Sequence, residues 1–339
     1  MKRKIHAFIF MLAMAAGLFG FASSQPTTTT RAASSATDLL SALPASDVIV
    51  YVDAQRVLND TLPTVFSNDP NALAKIKKEL EEVRQEIGID PYSIESAVMG
   101  FRSSARGGES FVAIVRGRFD ANAAIDAGFA KAEKHRNVKR QEVVYEGRTI
   151  YLLKSINGAS NNKSDKDDPE SFKNETAALM LDPGTIVISD VKGVRATIDA
   201  AMGRNKVSDE LVALATRQSS ALMGFSGDIK AIGKTPFGVK EAEGFLNGVT
   251  QFYGAVWTSG GDAEGQLTLR TETSERAREL SEALNGLKTL FSGGFASKGN
   301  DKDVIKELLR GINISATGNE VDIHGKASMS NINLIVKNF

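Results

Sequence analysis

Residues 253–272, YGAVWTSGGDAEGQLTLRTE, and residues 98–119, VMGFRSSARGGESFVAIVRGRF, share one plan although few letters coincide. Each runs an apolar strand, a Gly/Ser-rich turn, a second strand and then a helix start. Their surroundings match as well. DVIVYVD and SALMGFSGD are apolar runs that end at aspartate, Asp53 and Asp228, and each precedes one of the two hairpins. Each hairpin is followed by a helical stretch and a second hairpin, EVVYEGRTIYLL turning at Glu146-Gly147 and NISATGNEVDIHGKAS turning at Gly318-Asn319. This repetition constrains the fold more than any other feature, because it points to an internal duplication.

The unit so defined is strand, helix, strand, strand, helix, strand, plus one further strand. That order predicts an α+β chain of two tandem ferredoxin-like or related split units, antiparallel sheets with helices on one face. The expected organisation is a signal peptide over 1–24, a flexible linker over 25–42, a first unit over 43–205 and a second over 206–339. An apolar content of 42% in 339 residues is ample for cores of that size.

Local signals place the elements of the first unit. Val48 to Val52 is a short apolar run suited to a strand covered on both faces. In SNDPNALAKIKKELEEVRQEIGID, Leu73, Ile76, Leu80, Val83 and Ile87 recur at helical steps, with Asp69 as cap, Pro70 in the first turn and Gly88 as stop. SAVMGFR and SFVAIVRGRF pair as strands, and DANAAIDAGFAKAEKH is a helix capped by Asp120. Between the units, Asp182-Pro183-Gly184 turns between two short strands that extend the first sheet, and a helix follows with Val194 and Ile198 on one face. SERARELSEALNGLKTLF supplies the late helix of the second unit, through Ala277, Leu280, Leu284, Leu287 and Phe291. The polar stretch SINGASNNKSDKDDPESFKNE is expected to be a surface loop.

The N-terminus determines the compartment. MKRK, the apolar run IHAFIFMLAMAAGLFGFA and small residues at Ala22 and Ser24 make a secretory signal cleaved before Gln25. Membrane attachment is expected only if that segment stays uncleaved. Its removal takes Lys2, Arg3 and Lys4 but no acid from a chain with 41 residues of each sign. The exported chain is then mildly acidic, and nothing draws it to nucleic acid. With no cysteine, it has no disulfide, thiolate metal site, cysteine nucleophile or lipid-modified cysteine.

Catalytic patterns fail on spacing. In GDIKAIGKTPFG, five residues separate Gly227 from Gly233 where a phosphate loop needs four, and Pro236 follows Thr235. A calcium loop starting at Asp165 would put Glu170 at its glycine position and Thr176 at its glutamate position. GFSGD lacks the spacing of a serine-hydrolase elbow. Of the histidines outside the signal, His135 ends a helix between Lys134 and Arg136, as a surface residue does, and neither it nor His324 has a second histidine at zinc spacing. No catalytic residue, metal site or cofactor is expected.

What remains is a sheet face. In EVDIHGKAS, Val321, Ile323 and Gly325 alternate with Asp322, His324 and Lys326. In QLTLRTE, Leu267 and Leu269 oppose Thr268, Arg270 and Glu272, while Tyr253 and Trp257 lie on alternate positions of the preceding strand. If these strands adjoin, one open face carries Tyr253, Trp257, Arg270, Asp322 and His324. Tyr, Trp and Arg are frequent interface anchors.

LPASDVIVYVD, the helix after it and IGIDPYSIESAVMG together resemble the opening of a set of uncharacterised exported bacterial proteins, a domain of unknown function. These begin with Leu-Pro before a strand ending in Asp and later have a Gly-x-Asp turn leading into a short helix. The similarity covers residues 43–100 and implies an exported, sheet-rich protein without a known reaction. The functional expectation is therefore a non-enzymatic, periplasmic or extracellular protein binding another envelope component, an unidentified protein or ligand, through a sheet face. Alternatives are a carrier of an apolar ligand held between sheet and helices, and a hydrolase with a site of scattered residues.

Overall fold

The structure is a computed structural model that describes residues 30–103, 109–135, 137–156, 175–229, 246–260, 262–290, 309–329 and 331–332. The expected signal, the polar 157–174 loop and nearly all of GDIKAIGKTPFG lie outside those residues.

Among the described residues, twelve strands form one antiparallel sheet: β1 (Val48–Val52), β2 (Ile94–Ser103), β3 (Glu109–Gly117), β4 (Val138–Tyr145), β5 (Arg148–Ser155), β6 (Glu175–Asp182), β7 (Thr185–Ser189), β8 (Met223–Asp228), β9 (Val249–Ser259), β10 (Asp262–Thr271), β11 (Asn313–Thr317) and β12 (Glu320–Ser328). In space they run β11-β12-β10-β9-β8-β1-β2-β3-β7-β6-β5-β4. The two expected sheets are thus one, because β1 pairs with β8 through Val50↔Phe225 as well as with β2 through Val50↔Met99. An apolar strand of five residues exposes an unpaired ladder if left at an edge, and pairing on both sides removes it.

The strand order also corrects the split arrangement. A ferredoxin-like unit inserts another strand between the two that flank its first helix. Here those two, β1 and β2, are direct neighbours. Counted outward from the β1–β8 seam, β1-β2-β3-β5-β4 and β8-β9-β10-β12-β11 follow the same order once the β6–β7 hairpin, inserted between β3 and β5, is set aside.

Six helices of seven residues or more cover the sheet among the described residues: α1 (Thr30–Ser41), α2 (Pro70–Ile87), α3 (Ala121–His135), α4 (Val191–Ala201), α5 (Asp209–Ala215) and α6 (Ser274–Leu290). On what we call the lower face, α3 sets Ile125 and Phe129 against Leu153 and Ile186. There too, α6 sets Ala277 and Leu280 against Phe252 and Val321, and α2 sets Ile76 and Leu80 against Ala263 and Ala327. The expected one-sided cover ends there, because α1, α4 and α5 lie on the upper face over Ile49, Val98, Ile114, Ile150 and Val187.

Patterning explains the difference. Strands of the first half are apolar on both sides, so water must be excluded from both. The outer strands of the second half alternate, and their upper face presents Ser315 and Asp322, which need no cover.

The stretch read as a linker is also corrected. Thr30–Ser41 is helical, and Ala36, Leu39, Leu40 and Leu43 are buried at helical spacing under the upper-face core.

The caps fall where the sequence placed them. The Asp69 side chain accepts from the Ala72 N–H, and Gly88 ends α2 at φ 74°. Asp69→Ala should cost about 1 kcal/mol, read as a lower urea midpoint at unchanged slope.

Candidate functional site

The upper face of the second half begins where α5 stops. Tyr253 on β9, Thr268 on β10, Asp322 on β12 and Ser315 on β11 are successive cross-strand partners, so their side chains leave the same side of the sheet. Trp257, Glu264 and Lys326 form a parallel row, and Gln266, His324 and Asn313 lie between the two. Gln251, Arg270 and Glu320 make the row nearest the other end. All five residues singled out from the sequence, Tyr253, Trp257, Arg270, Asp322 and His324, therefore share this face.

They differ in access. Trp257 and Tyr253 are only 4% and 3% exposed. The Trp257 ring packs with Ala221 and Ala255, and His324 stacks on it at 6.0 Å between centroids. Ala221 lies on the connection between α5 and β8, which Arg56 holds by donating Nη1 to the carbonyls of Ser220 and Ala221 at 3.1 and 3.3 Å. Tyr253 lies beneath two guanidinium groups, Arg217 at 5.3 Å and Arg270 at 5.7 Å from its centroid. In this arrangement the two aromatic rings support the face and are not exposed anchors on it.

The polar groups are held in place. Arg270 donates Nε and Nη2 to Glu320 Oε1 at 3.0 and 2.9 Å, and Nη1 to Gln251 at 2.7 Å and Glu210 at 2.8 Å. Forked contacts of this kind fix a guanidinium more tightly than a single ion pair does. Asp322 accepts from Thr268 at 2.6 Å and from Gln266 at 3.0 Å. Burial lowers the His324 pKa, opposed by the charges of Glu264 and Asp322, so its ring is neutral at pH 7. Burial also raises Tyr253, with Glu320 adding to the effect, so the phenol keeps its proton.

Sequence reasoning missed Glu264. It is fully buried, neither carboxylate oxygen has a hydrogen-bond partner, and Lys326 Nζ stands 3.7 Å away while bonding Asp262 at 2.8 Å. The signal was available. Ser259 and Asp262 flank a two-residue turn, which sets Trp257 opposite Glu264. Glu320 stands on the same strand period as Asp322 and His324 and carried the same signal; Arg217, on the connection between α5 and β8, had none beyond charge.

Elsewhere, His135 is exposed at the end of α3, as expected of a surface residue. Among the described residues, no group of three or more His, Asp or Glu could hold a metal, and no helix is long and apolar enough to cross a membrane. The acidic SDKDDPE stretch lies outside the described residues.

No family model matches the chain, and no curated protein matches it. Among solved structures it is similar to crystal form III of TP0453, at a TM-score of 0.45 and 12% identity over 89% of this chain and 98% of that one. Crystal form IV gives 0.45 and 12% over 90% and 98%, and crystal form I gives 0.42 and 12% over 89% and 97%.

Proposed function

We propose that this chain is an exported, non-enzymatic envelope protein that binds another envelope component through the upper face of β10, β12 and β11. The observation that carries the reading is the contrast between the halves. The first half buries its upper face under three helices, while among the described residues no helix packs on the corresponding surface over β12 and β11; on β10, Thr268 and Glu264 are buried and Arg270 bonds Glu210 of α5. There Asn313, Ser315, Thr317 and Lys326 are exposed, and Asp322 and His324 are partly exposed. Arg270 with Glu320, and Asp322 with Thr268 and Gln266, fix polar groups in a set pattern. A partner meeting them loses little side-chain freedom. Tyr253 and Trp257 act from below as a rigid floor.

The repeated strand order supports an origin by duplication, with units over 43–205 and 206–339. One copy would have kept two apolar faces for stability while the other exchanged its upper face for recognition. Export rests on the signal over 1–24, and periplasmic or extracellular residence follows from it.

The test uses a photo-crosslinking amino acid at Ser315 on the upper face and at Arg278 on exposed α6, with the intact chain expressed in its own host. Adducts of one defined mass are expected from Ser315 alone. Equal yields from both positions, or none from Ser315, would reject the face.

A further inference from the structure

The sheet stops at β4 on one side and at β11 on the other. β11 has five residues, whereas β4 has eight, contains neither proline nor glycine, and pairs with β5 at every position. Among the described residues no strand pairs with its other edge, the longer of the two that the strand order leaves open.

The geometry of that edge can be worked out from the turn. Tyr145 and Arg148 flank the two-residue Glu146-Gly147 turn, whose φ values are 49° and 73°. The pair closing such a hairpin exchanges both its backbone hydrogen bonds. Counting back in twos, Val143, Gln141 and Lys139 also aim their N–H and C=O groups at β5. Those of Val144, Glu142, Arg140 and Val138 point away from the sheet, where the Arg140 N–H donates to Glu133 Oε1 at 2.7 Å, a side-chain cap that a pairing strand must displace. The side chains of these four share the lower face, where Val138 touches the α3 core and Val144 is 69% exposed.

We propose that β4 pairs antiparallel with β4 of a second copy, in a register centred on Gln141, to make a two-fold dimer. Outward backbone groups must meet outward groups, and the registers that pair at least three of the four outward positions centre on Arg140, Gln141 or Glu142. Centring on Arg140 or Glu142 sets that charge against its own copy. Centring on Gln141 sets Arg140 opposite Glu142 of the second copy, and Glu142 opposite Arg140, with Val138 against Val144 at both ends. On the upper face, the Lys139 stem lies over Val143.

Charges on an edge strand ordinarily discourage pairing. Here their order makes the edge complementary to itself. Arg140 is held by its own chain, bonded to Asp126 at 2.6 Å and to Glu142 at 3.3 Å with its guanidinium 4.4 Å from the Tyr151 centroid, so pairing exchanges the Glu142 bond within the chain for one to the second copy. Pairing the same edge on both copies closes the assembly at two.

The test is sedimentation equilibrium of the exported chain and two variants. Wild type should dimerise at ~10 µM. Arg140→Glu and Glu142→Arg should each weaken dimerisation at least about tenfold, because each turns both cross-strand charge pairs into like pairs. Mixed one to one, the two variants should form a heterodimer as tight as the wild-type dimer. In that species both pairs are again opposite in sign, and only folded chains can form it. The proposal is overturned if wild type stays monomeric at ~100 µM, if either variant alone dimerises like wild type, or if the two variants fail to combine.

Discussion

Gly224→Ala should destabilise the chain by about 3 kcal/mol or more, enough to leave a substantial fraction unfolded at ordinary temperature. The position is in β8, under α5. A Cβ built there would lie 1.9 Å from the Ala215 carbonyl oxygen and 3.1 Å from its carbon. Both are backbone atoms, so no rotamer change relieves the clash. Either α5 lifts from the sheet or β8 bends away from it, and either movement opens the core containing Leu211, Val212 and Ala215. Gly286→Ala is the control. Its Cβ would meet nothing within 4 Å on α6, and it should stabilise by about 0.5–1 kcal/mol. Urea unfolding followed by circular dichroism reads both. Equal midpoints for the two variants would show that α5 does not rest on β8 as described.

The second large effect concerns the buried carboxylate. Lys326→Met should cost about 2 kcal/mol, because it removes the cation nearest, among the described residues, to a Glu264 that has no exposure and no hydrogen bond. The cost falls below the usual range for a broken buried pair because the lysine side chain is 41% exposed and its charge is screened. Glu264→Gln should change stability by less than about 1 kcal/mol, and in the double variant the Lys326→Met penalty should largely vanish. Additivity of the two single changes would instead mean that Lys326 stabilises only through Asp262.

What the sequence made legible follows from range. Periodicity and caps are local, so α2, α3, α6 and both hairpin turns could be read directly. Asp69, Asp120 and Gly88 all do what their positions implied. The side of the sheet on which Arg270, Asp322 and His324 stand was likewise legible, because the strand period of two is a property of neighbouring residues. Long-range facts were not. Joining the halves through Val50 and Phe225 depends on segments far apart in the chain. The burial of Trp257 depends on the α5–β8 connection, and that of Tyr253 depends on Arg217 and Arg270.

Two helices were missed for different reasons. In α1, the apolar stripe Ala36, Leu39, Leu40 is embedded in a Thr/Ser/Ala run whose composition masks it. With only seven residues, α5 is too short to show a period, although Ser208 caps it by accepting from the Leu211 N–H.

The position of β1 bears on the export proposed above. One ladder of β1 is completed by β2, but the other waits for Met223–Asp228, which is made and threaded much later. A translocating chain led by its N-terminus would present five apolar residues with an open edge throughout that interval. Folding of the leading half alone leaves a sticky rim, which favours delivery of the whole polypeptide before it collapses and gives a holding chaperone an obvious grip. Pairing between segments so far apart in the chain slows folding in general, which is the kinetic counterpart of placing the seam at the centre of the sheet.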